Sequence, residues 1–177
     1  MTGYRILIAG GGITAALALI QRGFEVSLYE QAPELHEFGA GIAIMPNGSR
    51  VLIEPGLRSA LEAIASVPTT REMRLFNTGQ TWPILGNTQN LVSSFWQVHR
   101  GDFHRVLATA LEQRVPGAIH VGTRCVGFEQ DADGVTLLLE NGERVHGAAL
   151  IGADGVHSRI RRNLFGEGRA TFTGFMA

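Results

Sequence analysis

The hydrophobic pattern at the start of the chain predicts a strand, a helix and a second strand in close succession. Residues 5–9 form a short apolar run typical of a buried strand, and residues 26–30 form another that ends in an acid. Three consecutive glycines follow the first run, and an apolar helical segment follows the glycines. This order is that of a βαβ nucleotide-binding unit.

The glycine turn has the spacing Gly10-x-Gly12-x-x-Ala15. Gly10 allows a tight turn, Gly12 lets a pyrophosphate approach the backbone, and the small Ala15 lets the helix pack closely on the strand. The N–H groups and the dipole at the start of the helix favour phosphate charge, and Glu30 can accept hydrogen bonds from a ribose. The unit therefore predicts a dinucleotide cofactor and leaves its identity open.

The middle of the chain has a different pattern, in which short segments are separated by Gly and Pro. It predicts two short helices, at residues 47–53 and 57–64, and three short strands, at residues 73–77, 81–85 and 91–98. We expect these strands to begin a second, antiparallel subdomain.

A longer helix and a β-meander are predicted in the second half of the chain. Residues 102–114 carry one apolar stripe at helical spacing, made of Phe103, Val106, Leu107, Ala110 and Leu111. Asp133-Gly134 and Asn141-Gly142 are strong signals for hairpin turns. The predicted strands around and beyond these turns are residues 119–122, 125–130, 135–139, 144–147 and 148–152.

Composition and charge narrow the class of protein. With 177 residues, 45% of them hydrophobic and 18% charged, the chain is typical of one globular domain. The net charge of −1 favours neither nucleic acid nor a membrane as a partner, and no apolar run is long enough to span a bilayer. The single cysteine, Cys125, excludes an intramolecular disulfide, and the first residues lack a cleavable leader, so we expect a cytoplasmic protein. No histidine pairs with this cysteine at a metal-ligand spacing, and we predict no metal site.

Four segments carry the remaining signals, in a fixed order along the chain. They are GGGITA with Glu30, GAGIAIMPN at residues 39–47, HRGDFHRVL at residues 99–107 and GADGVHSRIRR at residues 152–162. Together they resemble the FAD-dependent aromatic hydroxylases, which are single-component flavoprotein monooxygenases similar to para-hydroxybenzoate hydroxylase. The resemblance implies an α/β fold over residues 1–177, an FAD-binding Rossmann-like domain with a parallel sheet and a β-meander crossover. It also implies that residues 67–98 are an inserted part of an antiparallel substrate subdomain.

The resemblance further implies which residues contact the cofactor. Asp154 and Gly155 match a pair that serves both FAD and NAD(P)H binding, and Arg100 matches an arginine that contacts FAD from the start of a central helix. Gly41 belongs to a small-residue loop like the one beside the mobile flavin ring. The full expected set is Gly10, Gly12, Ile13, Ala15, Glu30, Gly41, Arg100, Cys125, Val126, Asp154 and Gly155. No side chain is predicted to be catalytic.

Two groups of side chains each allow two interpretations of their role. One group could bind a phosphate of NADPH or form a solvated helix face, and the second interpretation is favoured; it consists of Arg159, Arg161 and Arg162. The other group could line an aromatic pocket or belong to a core, and the core is favoured; it consists of Trp82, Phe95 and Trp96.

The chain departs from the hydroxylase pattern in two places. The segment from Gly10 to Gly23 is about three residues shorter than in the family, which predicts a first helix of about ten residues. The chain also stops where family members continue with the rest of the substrate domain. We therefore expect it to correspond to the N-terminal portion of a hydroxylase.

The resulting hypothesis is the FAD-binding part of an NAD(P)H-dependent flavoprotein monooxygenase, which uses O₂ to hydroxylate a small aromatic compound. Two alternatives stay open, a non-catalytic fragment that binds flavin or nucleotide and an NAD(P)-binding reductase domain. Two protein partners also stay open, a second copy in a homodimer and a separately encoded C-terminal half.

Overall fold

A computed structural model describes residues 3–35, 41–67, 72–84, 95–166, 168 and 171–175 of the protein. The chain divides into two compact units. The first consists of Met1–Leu35 with Ala108–Ala177, and the second of His36–Leu107. The predicted insertion, residues 67–98, falls inside the second unit and stays a prediction, since part of it lies outside the described residues.

A four-stranded parallel sheet forms the centre of the first unit. Its strands are β1 (Arg5–Ala9), β2 (Glu25–Tyr29), β7 (Ile119–His120) and β11 (Ala149–Gly152), and they lie in the order β11-β1-β2-β7. The strands are apolar because a parallel sheet is covered on both faces: Leu7, Ile8 and Leu28 are fully buried. The second strand begins one residue earlier than predicted, because Glu25 pairs with Arg5 in the ladder.

The first helix, α1 (Ile13–Gln21), has nine residues, which confirms the short helix that the sequence predicts. It ends where Gly23 adopts a φ of 83°, a left-handed conformation that favours glycine. The amide of Gly23 donates to the carbonyl of Ile20 and so closes the last turn. Another helix, α5 (Arg159–Phe165), follows near the end of the first unit.

The β-meander has the bounds that the sequence predicts. It consists of β8 (Cys125–Gln130), β9 (Val135–Leu139) and β10 (Arg144–Gly147), paired antiparallel in the order β10-β9-β8. Both predicted turns carry a glycine with positive φ, 148° at Gly134 and 87° at Gly142. Alternate side chains of the meander, including Leu137 and Leu139, join Leu7 and Tyr29 in one buried apolar cluster.

The second unit contains two small antiparallel ribbons and short helices. The ribbons are β3 with β6 (Gly41–Ile44 with Trp96–His99) and β4 with β5 (Glu72–Arg74 with Thr81–Pro83). The helices are α2 (Pro46–Ile53), α3 (Arg58–Glu62) and the start of α4 (Arg100–Arg114). Phe95 and Trp96 are buried, as the core interpretation predicts, whereas that interpretation is wrong for Trp82, whose residue is 42% exposed.

Several predicted bounds in this unit are wrong by a few residues. The strand predicted at 73–77 ends at Arg74, because the next residues close a turn in which Gly79 donates to the carbonyl of Leu75. The helix predicted from residue 102 begins at Arg100. Its predicted stripe is confirmed, with Leu107 and Leu111 buried. No helix in the part of the chain that the structure describes has both the length and the apolar character needed to cross a membrane.

Candidate functional site

The glycine turn leaves the end of β1 and is fixed by its backbone. The amide of Gly10 donates a 2.8 Å hydrogen bond to the carbonyl of Tyr29, which ties the turn to the end of β2. Gly10 has a φ of 93°. A Cβ atom there would lie 2.6 Å from the carbonyl carbon of Ala153 and 2.8 Å from Cα of Asp154. Glycine is therefore required at this position by conformation and by space.

Gly12 is also enclosed by the protein itself. A Cβ atom on it would lie 2.8 Å from Cγ2 of Ile8 and 2.9 Å from Cβ of Ala153. This crowding is a second reason for a glycine here, beside the predicted approach of a pyrophosphate. The two glycines together let the segment at Ala153 pack directly on the turn.

The start of α1 has the features of an anion site. Gly12 is the N-cap residue, no side chain caps the helix, and its first turn carries no acidic residue. The first N–H groups of a helix lack intrahelical acceptors and carry the positive end of its dipole. Ile13 is buried and anchors the first turn in the core. These features fit a phosphate group better than a cation.

Ala16 is the fully buried alanine in the first turn and a half of this helix. Ala15, which the sequence pattern places against the strand, is only half-buried. Because the helix turns by about 100° per residue, the two neighbours face different directions. Contact between Ala15 and a cofactor stays a prediction.

Glu30 follows β2, and both its main-chain amide and its main-chain carbonyl are hydrogen-bonded. Its amide donates to the carbonyl of His120, and its own carbonyl accepts from Thr123. Carboxylate atom Oε1 accepts a 2.8 Å hydrogen bond from the amide of Ala32. The other oxygen, Oε2, lies 3.4 Å from the place of a Cβ atom on Gly11. The carboxylate therefore lies beside the glycine turn, where it can accept hydrogen bonds from a hydroxyl-bearing ligand.

Asp154 lies in the loop between β11 and α5, and its carboxylate is bonded within the protein. Oδ1 accepts a 2.6 Å hydrogen bond from the hydroxyl of Ser158. Oδ2 accepts from the amides of Arg159 at 2.6 Å and Ile160 at 3.2 Å. Gly155, next in the chain, is exposed and has a φ of 77°. The backbone of Ala153 and Asp154 lies nearest the place of a Cβ atom on Gly10.

Cys125 and Val126 lie at the start of β8, where the register shifts. Cys125 pairs with Leu139 and Gly127 pairs with Leu138, so Val126 is the extra residue of a β-bulge. The Val126 side chain is exposed. Cys125 is buried, and burial raises the pKa of its thiol. The extra residue of a bulge is left outside the ladder of its sheet.

Two predicted residues belong to the second unit. Gly41 is the first residue of β3 and pairs with His99, and Arg100 follows His99 as the first residue of α4. Both residues are exposed. The structure therefore brings Gly41 and Arg100 to the same end of one ribbon, although 58 positions separate them.

The basic residues of α5 are partly engaged. Arg161 donates to the carbonyl of Gly168, and Arg162 donates to the carbonyls of His157 and Ser158. These bonds favour a structural role on a solvated helix face over the phosphate interpretation. A separate open groove of about 550 Å³ runs along the meander, β11 and α5, and none of the predicted cofactor residues lines it.

Three residues of the site were missed by sequence reasoning. Gly11 faces Glu30, Ala153 packs on the glycine turn, and Ser158 caps α5 by accepting from the amide of Arg161. A serine just before a helix is a recognisable N-cap signal. The contacts of Gly11 and Ala153 are tertiary, and no local pattern marks them.

The parallel sheet, the glycine turn and the uncapped helix start define a dinucleotide-binding domain. Residues 4–176 match the family described as FAD binding domain, and the chain belongs to that family. FAD is therefore its cofactor, and the residues at the turn fit the phosphates of this group.

The comparisons with individual proteins agree. The chain is 36% identical to a 3-amino-4-hydroxybenzoate 2-monooxygenase of Streptomyces platensis, over 96% of the chain and 44% of that relative. It resembles the tetrameric form of 2-methyl-3-hydroxypyridine-5-carboxylic acid oxygenase with a TM-score of 0.79 and 31% identity, over 93% of the chain and 43% of that structure. It also resembles Klebsiella pneumoniae HpxO complexed with FAD and uric acid, with a TM-score of 0.76 and 28% identity, over 90% of the chain and 41% of that structure. The chain thus spans less than half the length of these proteins.

Proposed function

We propose that the first unit binds the ADP half of FAD at the glycine turn. The observation that carries the proposal is the uncapped start of α1 beside the Glu30 carboxylate, in a chain of the FAD binding domain family. The amides near Gly10, Gly12 and Ile13 would hold the pyrophosphate, and Glu30 would accept hydrogen bonds from the adenosine ribose.

The β-bulge is the proposed contact for the adenine end. Val126 stands outside the ladder of β8 and β9, so its main-chain groups can bond a ligand. Cys125 precedes it as a buried anchor. Gly41 and Arg100, which lie at one end of a ribbon in the second unit, stay FAD contacts predicted from the sequence resemblance.

For the polypeptide in which this chain occurs, we propose the activity of an NAD(P)H-dependent monooxygenase acting on a small aromatic compound. The support is the activity named for the Streptomyces relative, together with its 36% identity. When bound, the flavin would carry electrons from NAD(P)H to O₂. The residues of this chain would hold and orient the flavin. A cytoplasmic location fits the single buried Cys125.

Ligand binding by the purified chain tests the cofactor assignment. FAD, FMN, ADP and NADP⁺ are titrated separately, and ADP is used to compete with FAD. We expect FAD and ADP to share one site, with FMN much weaker because it lacks the adenosine. Equal affinity for FAD and FMN, or no competition by ADP, would contradict the assignment. Preference for NADP⁺ over FAD would favour the reductase alternative.

Turnover tests the proposed activity separately. NAD(P)H oxidation by the FAD-loaded natural polypeptide is followed with amino- and hydroxybenzoates, and hydroxylated product is measured. We expect an aromatic substrate to stimulate oxidation. If FAD binds but none of these compounds stimulates NAD(P)H oxidation, the cofactor assignment stands and the proposed substrate class is wrong.

A further inference from the structure

We propose that the imidazole of His120 is a stacking surface for the adenine base of FAD. This inference rests on the proposed function, because it concerns the ADP half of the same cofactor. It adds an aromatic contact at the end of β7 to the two contacts proposed around the adenosine, which are the Glu30 carboxylate and the main chain at Val126.

Tyr29 sets the plane of the His120 ring. The two rings are stacked, with a centroid distance of 4.7 Å and an angle of 10° between their planes. Tyr29 is buried in the apolar cluster that also contains Cys125 and Leu137, whereas His120 is exposed. Tyr29 therefore covers one face of the imidazole, and the opposite face is on the exposed side of the stack. That face can stack a second flat ring.

The parallel sheet places His120 where the base of a bound ADP group is expected. β1, β2 and β7 are successive neighbours, so their carboxyl ends meet at one edge, outside which such sheets bind ligands. The glycine turn follows β1, Glu30 follows β2, and His120 is the last residue of β7. Neighbouring strands are about 4.8 Å apart. A pyrophosphate at β1 and a ribose at β2 therefore direct the base, the next group along the ligand, toward the end of β7.

Backbone hydrogen bonds hold His120 beside the proposed ribose contact. The Glu30 amide donates a 2.9 Å hydrogen bond to the His120 carbonyl, and the Glu30 carbonyl accepts a 2.8 Å hydrogen bond from the Thr123 amide. The loop that begins after His120 thus returns to Glu30 at Thr123 and then enters β8, where the bulge at Val126 lies. These bonds keep the end of β7 and the approach to the bulge next to Glu30.

The stacking role makes the effect of a substitution depend on ring shape. Loss of an aromatic surface under a base weakens binding, so His120→Ala should bind FAD and ADP about tenfold more weakly. FMN lacks the adenine, and its affinity should not change. His120→Phe should keep most of the affinity, because a phenyl ring can stack on Tyr29 and on the base. His120→Gln has polar atoms but no ring, and it should bind ADP as weakly as His120→Ala.

Titration of the purified chain with FAD, ADP and FMN, together with NMR of bound ADP, tests the proposal. The protons of an adenine stacked on an aromatic ring move upfield, and a purely structural role of His120 would not produce this shift. We expect the shift in the wild type and in His120→Phe, and a much smaller one in His120→Ala and His120→Gln. Urea unfolding of the ligand-free variants shows whether each stays folded.

His146→Ala is the matched control. His146 is also an exposed histidine on a strand of the first unit, but it lies on β10, and its Nδ1 is 3.4 Å from the hydroxyl oxygen of Thr136. This variant should leave the affinities for FAD, ADP and FMN at the wild-type level.

Three results would contradict the stacking role. They are an unchanged ADP affinity in His120→Ala, an affinity restored by His120→Gln but not by His120→Phe, and an equal weakening of FMN and ADP. The second result would assign a hydrogen bond to the imidazole instead. If the wild type itself binds no ADP, the proposed function fails and the adenine contact fails with it. If the wild type binds ADP and His120→Ala binds it equally well, only the stacking role fails.

Discussion

A side chain on Gly10 would overlap the backbone of Ala153, whose carbonyl carbon lies 2.6 Å from the place of a Cβ atom. The two residues are distant in sequence and belong to separate strand-to-helix connections, the first after β1 and the second after β11. Their contact joins the first and last recognisable motifs of the chain into one surface.

This contact makes Gly10 the most sensitive glycine of the turn. Gly10→Ala should lower the free energy of unfolding by about 2 kcal/mol or more, because a left-handed backbone alone costs an alanine about 1–2 kcal/mol and the overlap adds to it. Gly11→Ala is the control, since a Cβ atom there meets only Oε2 of Glu30, at an ordinary 3.4 Å. It should change stability by no more than about 0.5 kcal/mol. Urea unfolding of the first unit measures both, and equal loss in the two variants would contradict the packing described.

Glu30→Gln tests the ribose assignment with little change to the loop. The amide oxygen of glutamine can still accept from Ala32, whereas the charged acceptor beside Gly11 is lost. A lost hydrogen bond to a charged group costs about 1.5–3 kcal/mol, so FAD and ADP should bind about tenfold to a hundredfold more weakly. FMN binding should not change. Glu25→Gln, at the exposed start of β2, is the matched control and should leave all three affinities at the wild-type level.

The rate at which Cys125 is alkylated should show that the start of β8 is buried. Burial raises the pKa of Cys125, so at neutral pH less of it is thiolate than in a free cysteine, and iodoacetamide should alkylate it slowly. Labelling should rise at a more alkaline pH than for cysteine in the urea-unfolded chain. Labelling at the unfolded rate in the folded protein would show that the start of β8 is open.

The same shift has a consequence for stability. The neutral thiol is favoured in the folded protein. Its contribution to the free energy of unfolding is therefore fully present below the pKa that Cys125 has in the unfolded chain, and it is lost as pH rises through the pKa that Cys125 has in the folded protein. Wild-type protein should therefore lose more stability at alkaline pH than Cys125→Ala does. Thermal unfolding at neutral and alkaline pH measures the difference, and parallel curves would contradict it.

The exposed ion pair between Arg144 and Glu129 should contribute to stability with the opposite pH dependence. Arg144 on β10 donates to Glu129 on β8, with Nη1 3.3 Å from Oε1, and this hydrogen bond lowers the pKa of Glu129. The contribution of this ion pair to the free energy of unfolding is fully present above the pKa that Glu129 has in the unfolded chain. It is lost as pH falls through the lower pKa that Glu129 has in the folded protein. Arg144→Gln should raise the pKa of Glu129, measured by NMR titration. Arg124→Gln, which breaks the pair with Glu140, should leave that pKa unchanged.

Much of the fold could be predicted from local sequence. The bounds of β1 and of all three meander strands follow from apolar alternation and from turn glycines, because these signals lie within a few residues of the elements they define. The second unit was harder to predict. Its strands are short and partly exposed, as at Trp82, so burial imposes little pattern on them.

The candidate site divides in the same way. The sequence by itself determined the glycine turn, the acid after the second strand and the cofactor class, because phosphate binding at a helix start needs residue types at fixed local spacing. Only the tertiary structure decided that Ala16 is more deeply buried than Ala15, that Gly12 is enclosed by Ile8 and Ala153, and that the Asp154 carboxylate accepts hydrogen bonds from the start of α5. Those facts depend on which side chains meet across distant segments, and local spacing along the chain does not encode contacts between segments that are far apart in sequence.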